Sequence, residues 1–222
     1  MESQRTRRPG RRNDILRVFT ERVAEQGYDA TSLSEVANEL SVSKGTIMHH
    51  FGSKDRMLAE MSLGYMERRL QELIVVKAAY PDPVDQLAGL ILSLITAFRD
   101  DPDATRAFSR EFIRFVEDPV MDEVRALRRR YTIEVDEIIS RGIGSGKIAT
   151  DLPHIVGLQI LGMCNWSWTW IDPDGPTSVE DIAAVYANSI LNGLRTQKEG
   201  FSPIFLPDEI VEARSAARGQ SY

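Results

Sequence analysis

Three serine residues divide the N-terminal quarter of the chain into short helical segments, and their spacing restricts the possible folds more than any other feature. Ser32 begins the pattern Ser-Leu-Ser-Glu, in which the serine caps a helix while Glu35 bonds back to the cap. Ser43 and Ser53 are predicted to cap two further helices, because a serine oxygen accepts the free amide hydrogens of a first turn. The spacing therefore predicts two short helices joined by a tight turn and followed by a longer helix.

Two short helices joined by a tight turn are typical of a helix-turn-helix unit, which presents its second helix to the DNA major groove. In the second helix, Ile47 and Phe51 are four positions apart and are predicted to anchor it inward. The remaining positions are then predicted to face DNA, with glycine allowing the backbone to approach closely: Lys44, Gly45, Thr46, Met48 and His49.

The distribution of charge agrees with a DNA-binding N-terminal unit. The chain carries a net charge of −6, but residues 1–58 carry +2 and the remainder carries −8. Five arginines lie among the first twelve residues, where they either contact phosphates or form a solvated tail. The single cysteine, Cys164, excludes an internal disulfide and favours a reducing compartment. No apolar run reaches the roughly 20 residues of a membrane span and no signal core follows the basic start, so a cytoplasmic location without membrane contact is expected.

The rest of the chain is also predicted to be helical, because apolar residues recur at helical spacing between breaks rich in proline, aspartate and glycine. Helices are expected at residues 13–26, 33–40, 43–50, from 53 to the break at 81–83, and at 84–98, 105–116, 121–141, 152–171 and 178–194. A glycine loop is expected at residues 142–146, and the last part of the chain is expected to be a polar tail.

Residues 13–58 resemble the DNA-binding domain of the TetR family of bacterial regulators. The resemblance is carried at fixed spacing by Ile15-Leu16, Glu25-Gln26-Gly27-Tyr28, Ala30-Thr31-Ser32-Leu33, Glu35-Val36-Ala37, Val42-Ser43-Lys44-Gly45-Thr46-Ile47, His49-His50-Phe51 and Ser53-Lys54-Asp55. It implies phosphate contacts from Thr31, Ser32, Ser43 and Lys54, and base or phosphate contacts from Lys44, Gly45, Thr46 and His49. The family usually has tyrosine where this chain has Met48, whose thioether cannot donate a hydrogen bond to phosphate but can touch a thymine methyl group.

The resemblance also implies an overall architecture. The fold class is all-α, with a three-helix DNA-binding domain at residues 1–58, a larger ligand-binding and dimerisation domain at 59–200 and a C-terminal tail at 201–222. The helices at 153–171 and 178–194 are then expected to form a four-helix dimer bundle. The tryptophan-rich end of the first of these helices, with the break at 172–176 after it, is similar to regulators that respond to acyl-CoA or steroid-derived CoA esters.

Two groups of aromatic residues are candidates for binding an effector. Phe108, Phe112 and Phe115 share one face of a predicted helix and either line a pocket or belong to the core, while arginines 106, 110 and 114 lie nearly opposite. Trp166 and Trp170 are one helical turn apart and line a cavity, a dimer interface or the core. The expected effector is a small apolar or acyl-type molecule such as an acyl-CoA. No cofactor or metal is expected, since His49 and His50 point about 100° apart on a helix.

Together these features predict a ligand-responsive DNA-binding transcriptional regulator. As a homodimer it would repress from a near-palindromic DNA operator until a small-molecule effector releases it. The alternative is a helical ligand-binding or scaffold protein that has lost specific DNA binding, which Met48 favours. An enzyme is not expected, because the sequence offers no catalytic triad pattern, no phosphate-binding glycine loop and no metal-ligand spacing.

Overall fold

The computed structural model describes residues 11–112, 119–194 and 206–219, and these residues form ten α-helices without a β-strand. The helices are α1 (Arg11–Gln26), α2 (Leu33–Glu39), α3 (Lys44–Phe51), α4 (Lys54–Ala79), α5 (Pro83–Asp100), α6 (Pro102–Arg110), α7 (Asp122–Gly144), α8 (Pro153–Trp166), α9 (Val179–Leu194) and α10 (Asp208–Gly219). The predicted all-α class is confirmed. Within the described ranges, no helix combines the length and the apolar character that crossing a membrane requires.

The serine caps predicted from the sequence are present at the starts of α2, α3 and α4. At α2 the Glu35 carboxylate accepts the amide hydrogen of Ser32 at 3.1 Å, which completes the capping box. At α3 the Oγ of Ser43 accepts the amide hydrogen of Thr46 at 3.0 Å, and Ser53 caps α4 in the same way. These bonds satisfy amide hydrogens that a first turn otherwise leaves free, so they fix where each helix begins.

Helix α4 joins the DNA-binding helices to the rest of the chain. It has 26 residues and is therefore about 39 Å long. Its buried side chains run from Met57 to Val76, so that one face packs on the core over almost the whole length. The domain boundary predicted at residue 58 falls inside this helix, and α4 consequently belongs to both units.

Helix α5 forms the centre of the larger unit. Among residues 83–98 of this helix, only Asp85 is not buried. Helices α4, α6, α7, α8 and α9 pack around it. A helix that is apolar on nearly all sides is stable only in such an enclosed position.

Helix α10 lies in the segment for which the sequence predicts only a polar tail. Its Arg214 is buried, and the guanidinium donates to both carboxylate oxygens of Glu72 at 2.9 Å and to Oδ2 of Asp100 at 2.8 Å. Burial by itself would raise the pKa of Glu72, but Arg69 and Arg214 outweigh it and hold that pKa below its ordinary value. Buried charges persist when they are paired in this way, so α10 is anchored to α4 and α5.

Three helices end well before or well after the residue predicted for their C-terminal boundary. Helix α6 ends at Arg110 rather than at Val116, and residues 113–118 lie outside the described ranges. Helix α8 ends at Trp166 in a short 3₁₀ turn rather than continuing to Ile171. Helix α7 continues to Gly144, through two of the glycines predicted to form a loop.

The glycine at position 142 serves close packing rather than a turn. It is buried within α7, and a Cβ atom there would lie 2.3 Å from Cδ1 and 2.8 Å from Cγ1 of Ile148. In the predicted glycine loop, Gly146 alone has the left-handed backbone, with a φ of 70°. Gly142 therefore allows a close contact between α7 and the following loop, and Gly146 forms the turn itself.

We expect Gly142→Ala to lower the free energy of unfolding by about 1–3 kcal/mol, because the new methyl group would overlap the Ile148 side chain. Gly144→Ala is the matched control: no atom lies within 4 Å of its Cβ, and alanine is favoured over glycine in a helix by about 0.5–1 kcal/mol. Urea denaturation followed by circular dichroism measures both changes. Unchanged stability in Gly142→Ala would contradict the close contact with Ile148.

Candidate nucleic-acid interface and effector region

Helix α3 has the predicted separation of an inward and an outward face. Ile47 and Phe51 are buried and hold the helix against α2 and α4. Lys44 and His49 are exposed, and Met48 exposes 40% of its surface. The face that results is polar and open to solvent, as a helix entering the major groove requires.

The N-terminal edge of α3 is formed by two hydroxyl groups and a glycine. The oxygens of Ser43 and Thr46 are 2.9 Å apart. A Cβ at Gly45 would meet only the Ser43 hydroxyl, at an ordinary distance of 3.5 Å. Packing inside the protein therefore does not require glycine at this position, which agrees with the predicted close approach of a DNA backbone.

Lys54 is held at the start of α4 by an aromatic residue from the α1–α2 connection. Its Nζ lies 4.1 Å from the ring centroid of Tyr28, within the range of a cation–π contact. The hydroxyl of Tyr28 in turn donates to Asp55. These contacts orient Lys54 beside α3, where a phosphate contact remains a prediction.

The structure corrects the prediction for Thr31. This residue is buried, and its hydroxyl donates to the carbonyl oxygen of Gly27 at 2.8 Å. The side chain therefore stabilises the turn between α1 and α2 and is not placed to contact a phosphate. Ser32 next to it is partly exposed and caps α2, so its predicted phosphate contact is sterically possible.

Two residues at the end of α6 connect the larger unit to the DNA-binding helices, and the sequence analysis did not predict this role. Arg110 Nη1 donates to the carbonyl oxygen of Glu25 at 3.1 Å, and the Glu111 carboxylate accepts the amide hydrogen of Tyr28 at 2.8 Å. Between these contacts Gly27 has a φ of 87°, and a Cβ there would lie 3.0 Å from Arg110 Nε. Because the partners at the end of α1 and just beyond it are backbone atoms, no side-chain pattern could have revealed the contact.

The candidate effector residues of α6 lie in an aromatic cluster beside α4. Phe108 is buried and stacks on Tyr65 with ring centroids 4.4 Å apart. Phe112 contacts Phe108 edge-on at 6.1 Å, and the Arg128 guanidinium lies 3.7 Å from the Phe112 centroid. Phe115 lies outside the described residues.

The tryptophans lie at the end of α8 and in the short turn that follows it, and this turn packs on α6. Trp166 and Trp170 expose 67% and 51% of their surface, and the end of α8 at Trp166 means that they do not share a helical face as predicted. Trp168 is half-buried, with the Arg110 guanidinium 5.9 Å from its ring. Trp166 and Trp170 therefore lie near α6 without joining the described ring contacts of Phe108 and Phe112, and their contact with a ligand remains a prediction.

The single cysteine and the two adjacent histidines belong to the residue types that often form reactive or metal-binding groups. Cys164 is buried, and burial raises the pKa of its thiol to about 12. The rings of His49 and His50 are 5.7 Å apart and tilted against each other. In the ranges that the structure describes, no three histidine, cysteine or acidic side chains are grouped so that they could hold a metal ion.

Two protein-family models match the chain. Residues 15–61 match the model described as bacterial regulatory proteins of the tetR family, and residues 80–194 match the model of the tetracycline repressor-like C-terminal domain. The chain belongs to the TetR family of bacterial regulatory proteins. The first matched region extends from α1 into the first turns of α4, and the second covers helices α5–α9.

Similar proteins agree with this assignment. The HTH-type transcriptional repressor KstR2 of Mycolicibacterium smegmatis is 24% identical over 191 residues, which are 86% of this chain and 93% of the relative. The structure of the ketosteroid transcriptional regulator KstR2 of Mycobacterium tuberculosis has a TM-score of 0.76 at 22% identity, covering 84% of this chain and 96% of that one. AibR, in a complex with isovaleryl coenzyme A and operator DNA, has a TM-score of 0.72 at 19% identity, covering 83% and 97%. The predicted regulator of the TetR family is confirmed.

We expect Met48→Tyr to tighten DNA binding, because a phenol can donate a hydrogen bond to a phosphate from this exposed position. One such bond contributes about 1 kcal/mol, or roughly fivefold in affinity. Met48→Phe is the control, since it adds the ring without the hydroxyl. Fluorescence anisotropy with a labelled fragment from upstream of the protein's own gene measures the three affinities. Equal affinities of the tyrosine and phenylalanine variants would show that position 48 has no phosphate partner.

Proposed function

We propose that this chain is a homodimeric repressor that leaves its operator when it binds a small apolar or acyl-type effector such as an acyl-CoA. The observation that carries the proposal is the serine-capped helix α3, whose polar face is open to solvent in a chain with both TetR-family domains. The relatives named KstR2 are described as repressors, which supports repression as the mode of regulation. The AibR complex contains both an acyl-CoA and operator DNA, which supports an acyl-type effector.

One group of DNA contacts would fix the position of the protein on the phosphate backbone, and another would recognise the base sequence. Ser32, Ser43 and Lys54 would bind phosphates, because hydroxyl and ammonium groups at helix starts suit phosphate oxygens. The exposed side chains of α3 would read the major groove, with Met48 against a thymine methyl group. A symmetric dimer would place two such helices about 34 Å apart, one turn of DNA.

An apolar face on α8 is the proposed dimer interface. Leu152, Ile155, Leu158 and Trp166 are each about half exposed or more, and Val185 on α9 adds a similar side chain. The opposite faces of α8 and α9 pack on α7 and α5, so these side chains point away from the core. Exposed apolar side chains grouped in this way mark association surfaces, and a twofold dimer would cover them.

Effector binding would reach the DNA-binding helices through α6. Phe108 and Phe112 lie in and directly after this helix, and Arg110 and Glu111 hold the end of α1. A ligand that favours another position of α6 would therefore shift the population toward a different spacing of the two recognition helices. Such a shift needs only a difference in the ligand's affinity for the two states.

We expect Lys54→Ala to weaken operator binding and to lower the slope of log affinity against log salt concentration by about 1, as the loss of one phosphate contact does. Lys147→Ala is the matched control, because it removes the same charge from an exposed position in the larger unit. Anisotropy titrations over a salt series measure both. If the wild type binds operator and unrelated DNA equally and without salt dependence, the chain is instead a ligand-binding protein without DNA recognition.

Ile155→Glu should convert the dimer into a monomer and reduce operator affinity at least tenfold, because a charge would have to be buried in the interface. Ile133→Glu is the control: it introduces the same charge at an apolar residue of α7 that is 56% exposed and lies outside the proposed surface. Sedimentation velocity gives the oligomeric state of each variant. A dimeric Ile155→Glu variant would place the interface elsewhere.

A further inference from the structure

Arg69 has the largest fully buried side chain among the described residues, and most of its hydrogen-bonding capacity is unused. It is 2% exposed, and its Nη2 donates to Oε1 of Glu72 at 2.8 Å. In the part of the chain that the structure describes, Nε and Nη1 have no hydrogen-bond partner. Buried guanidinium groups are normally saturated with acceptors, so two idle nitrogens need an explanation.

Most of the described buried polar atoms without partners lie on the two helices α4 and α6. In the described ranges five buried side-chain nitrogen or oxygen atoms lack a partner, and four of them belong to α4 and α6. Besides the two nitrogens of Arg69, these are the hydroxyl oxygens of Ser62 and Ser109. Ser62 and Arg69 are two helical turns, or about 10 Å, apart on the same face of α4. The unsatisfied atoms therefore extend over the length of a small molecule.

A series of ring contacts leads from the surface of the protein to Arg69. We call the three rings of Phe112, Phe108 and Tyr65 the aromatic path. Arg128 lies over the outer ring, the three rings contact one another in that order, and the Arg69 guanidinium is 5.1 Å from the centroid of the inner ring. An apolar ligand lying along these rings would bring its inner end to the idle nitrogens of Arg69.

The charges around Arg69 select the chemistry of that inner end. Glu72 and Asp100 match the positive charges of Arg69 and Arg214. The Oδ2 of Asp101 lies 3.9 Å from Arg69 and is itself paired with Arg68. A carboxylate or phosphate would add a negative charge to a cluster that is already neutral. A carbonyl oxygen accepts hydrogen bonds without adding charge, so it fits the site better.

We propose that Arg69 binds a carbonyl oxygen of the effector, whose apolar body lies along the aromatic path. The effector class is then a neutral apolar carbonyl compound, a class that includes ketones, esters and the thioester end of an acyl-CoA. This inference rests on the proposed function, in which the effector changes the position of α6. Because Phe108 is part of both the path and α6, a ligand that displaces this ring acts directly on the helix that holds α1.

The first test needs no ligand. Arg69→Met removes the idle donors and keeps an unbranched side chain, while Glu72 retains its contacts with Arg214. The substitution also removes one of the two positive charges that Glu72 faces, so we expect the melting temperature of the variant to fall. Arg68→Met, which removes an exposed arginine paired with Asp101 on the same helix, is the matched control. If Arg69→Met no longer melts cooperatively, Arg69→Lys takes its place in the tests with ligand, because lysine keeps the charge beside Glu72 and has fewer hydrogen-bond donors.

The second test uses defined probes. Isovaleryl-CoA and a steroid ketone each carry an uncharged thioester or ketone carbonyl group, whereas free CoA lacks that group and isovalerate has a charged carboxylate in its place. We expect a carbonyl probe to raise the melting temperature of the wild type and of Arg68→Met, and to bind Arg69→Met about tenfold or more weakly. The proposal is wrong if neither carbonyl probe raises the melting temperature of the wild type, or if the rise persists in Arg69→Met. It is also wrong if isovalerate is the one probe whose stabilising effect is lost in Arg69→Met.

Operator binding separates this inference from the function on which it rests. Arg69→Met should bind operator DNA like the wild type and fail to release it when the carbonyl probe is added. If the wild type does not bind operator DNA at all, the repressor function is refuted. The melting measurements would then still decide whether Arg69 binds the probe. Normal release of the Arg69→Met variant would refute the inference alone.

Discussion

The end of α1 rests on α6 through backbone atoms, and the position of the DNA-binding helices depends on this contact. The Glu111 carboxylate accepts an amide hydrogen just beyond α1, and Arg110 covers a carbonyl group of its last turn. The left-handed Gly27 lets the guanidinium come this close. Since α1 packs on α2 and α4, and these helices support α3, a displacement of α6 cannot leave the recognition helix where it was.

Helix α4 provides a second connection between the same regions. Lys54 at its start belongs to the predicted DNA interface, whereas Arg69 and Glu72 farther along belong to a buried ionic cluster that also binds Arg214 of α10. The aromatic path lies between α4 and α6, with Tyr65 on one helix and Phe108 on the other. The region proposed for the effector is therefore located where both connections can be moved at once.

Local features of the structure could be predicted from the sequence, and features that depend on distant partners could not. The capping serines of α2, α3 and α4 act within one helical turn, so their pattern is visible in the chain. Helix α10 and the contact of Arg110 depend on residues far away in sequence, and Gly142 was assigned to a loop because its partner Ile148 was unknown. Arg69 did leave a signal, since it interrupts the apolar spacing of α4 between Tyr65 and Leu73.

The candidate site could be predicted to a similar extent. The face of α3 follows from helical periodicity, because Ile47 and Phe51 determine which side is buried. The burial of Thr31 was not visible, since a threonine before a capping serine has the same sequence pattern whether it faces DNA or the core. Trp166 and Trp170 were assigned to one face because the end of α8 depends on how the following turn packs.

The environment of Cys164 has a practical consequence for following the motion of this protein. A buried thiol with a pKa of about 12 stays protonated at neutral pH, and protonated thiols do not react with alkylating reagents. Because the chain has no other cysteine, one introduced on the outer face of α3 would accept a spin label or a dye selectively. A labelled dimer would then carry a pair of probes whose separation is the distance between its two recognition helices. The native cysteine therefore does not need to be removed before that distance is measured spectroscopically.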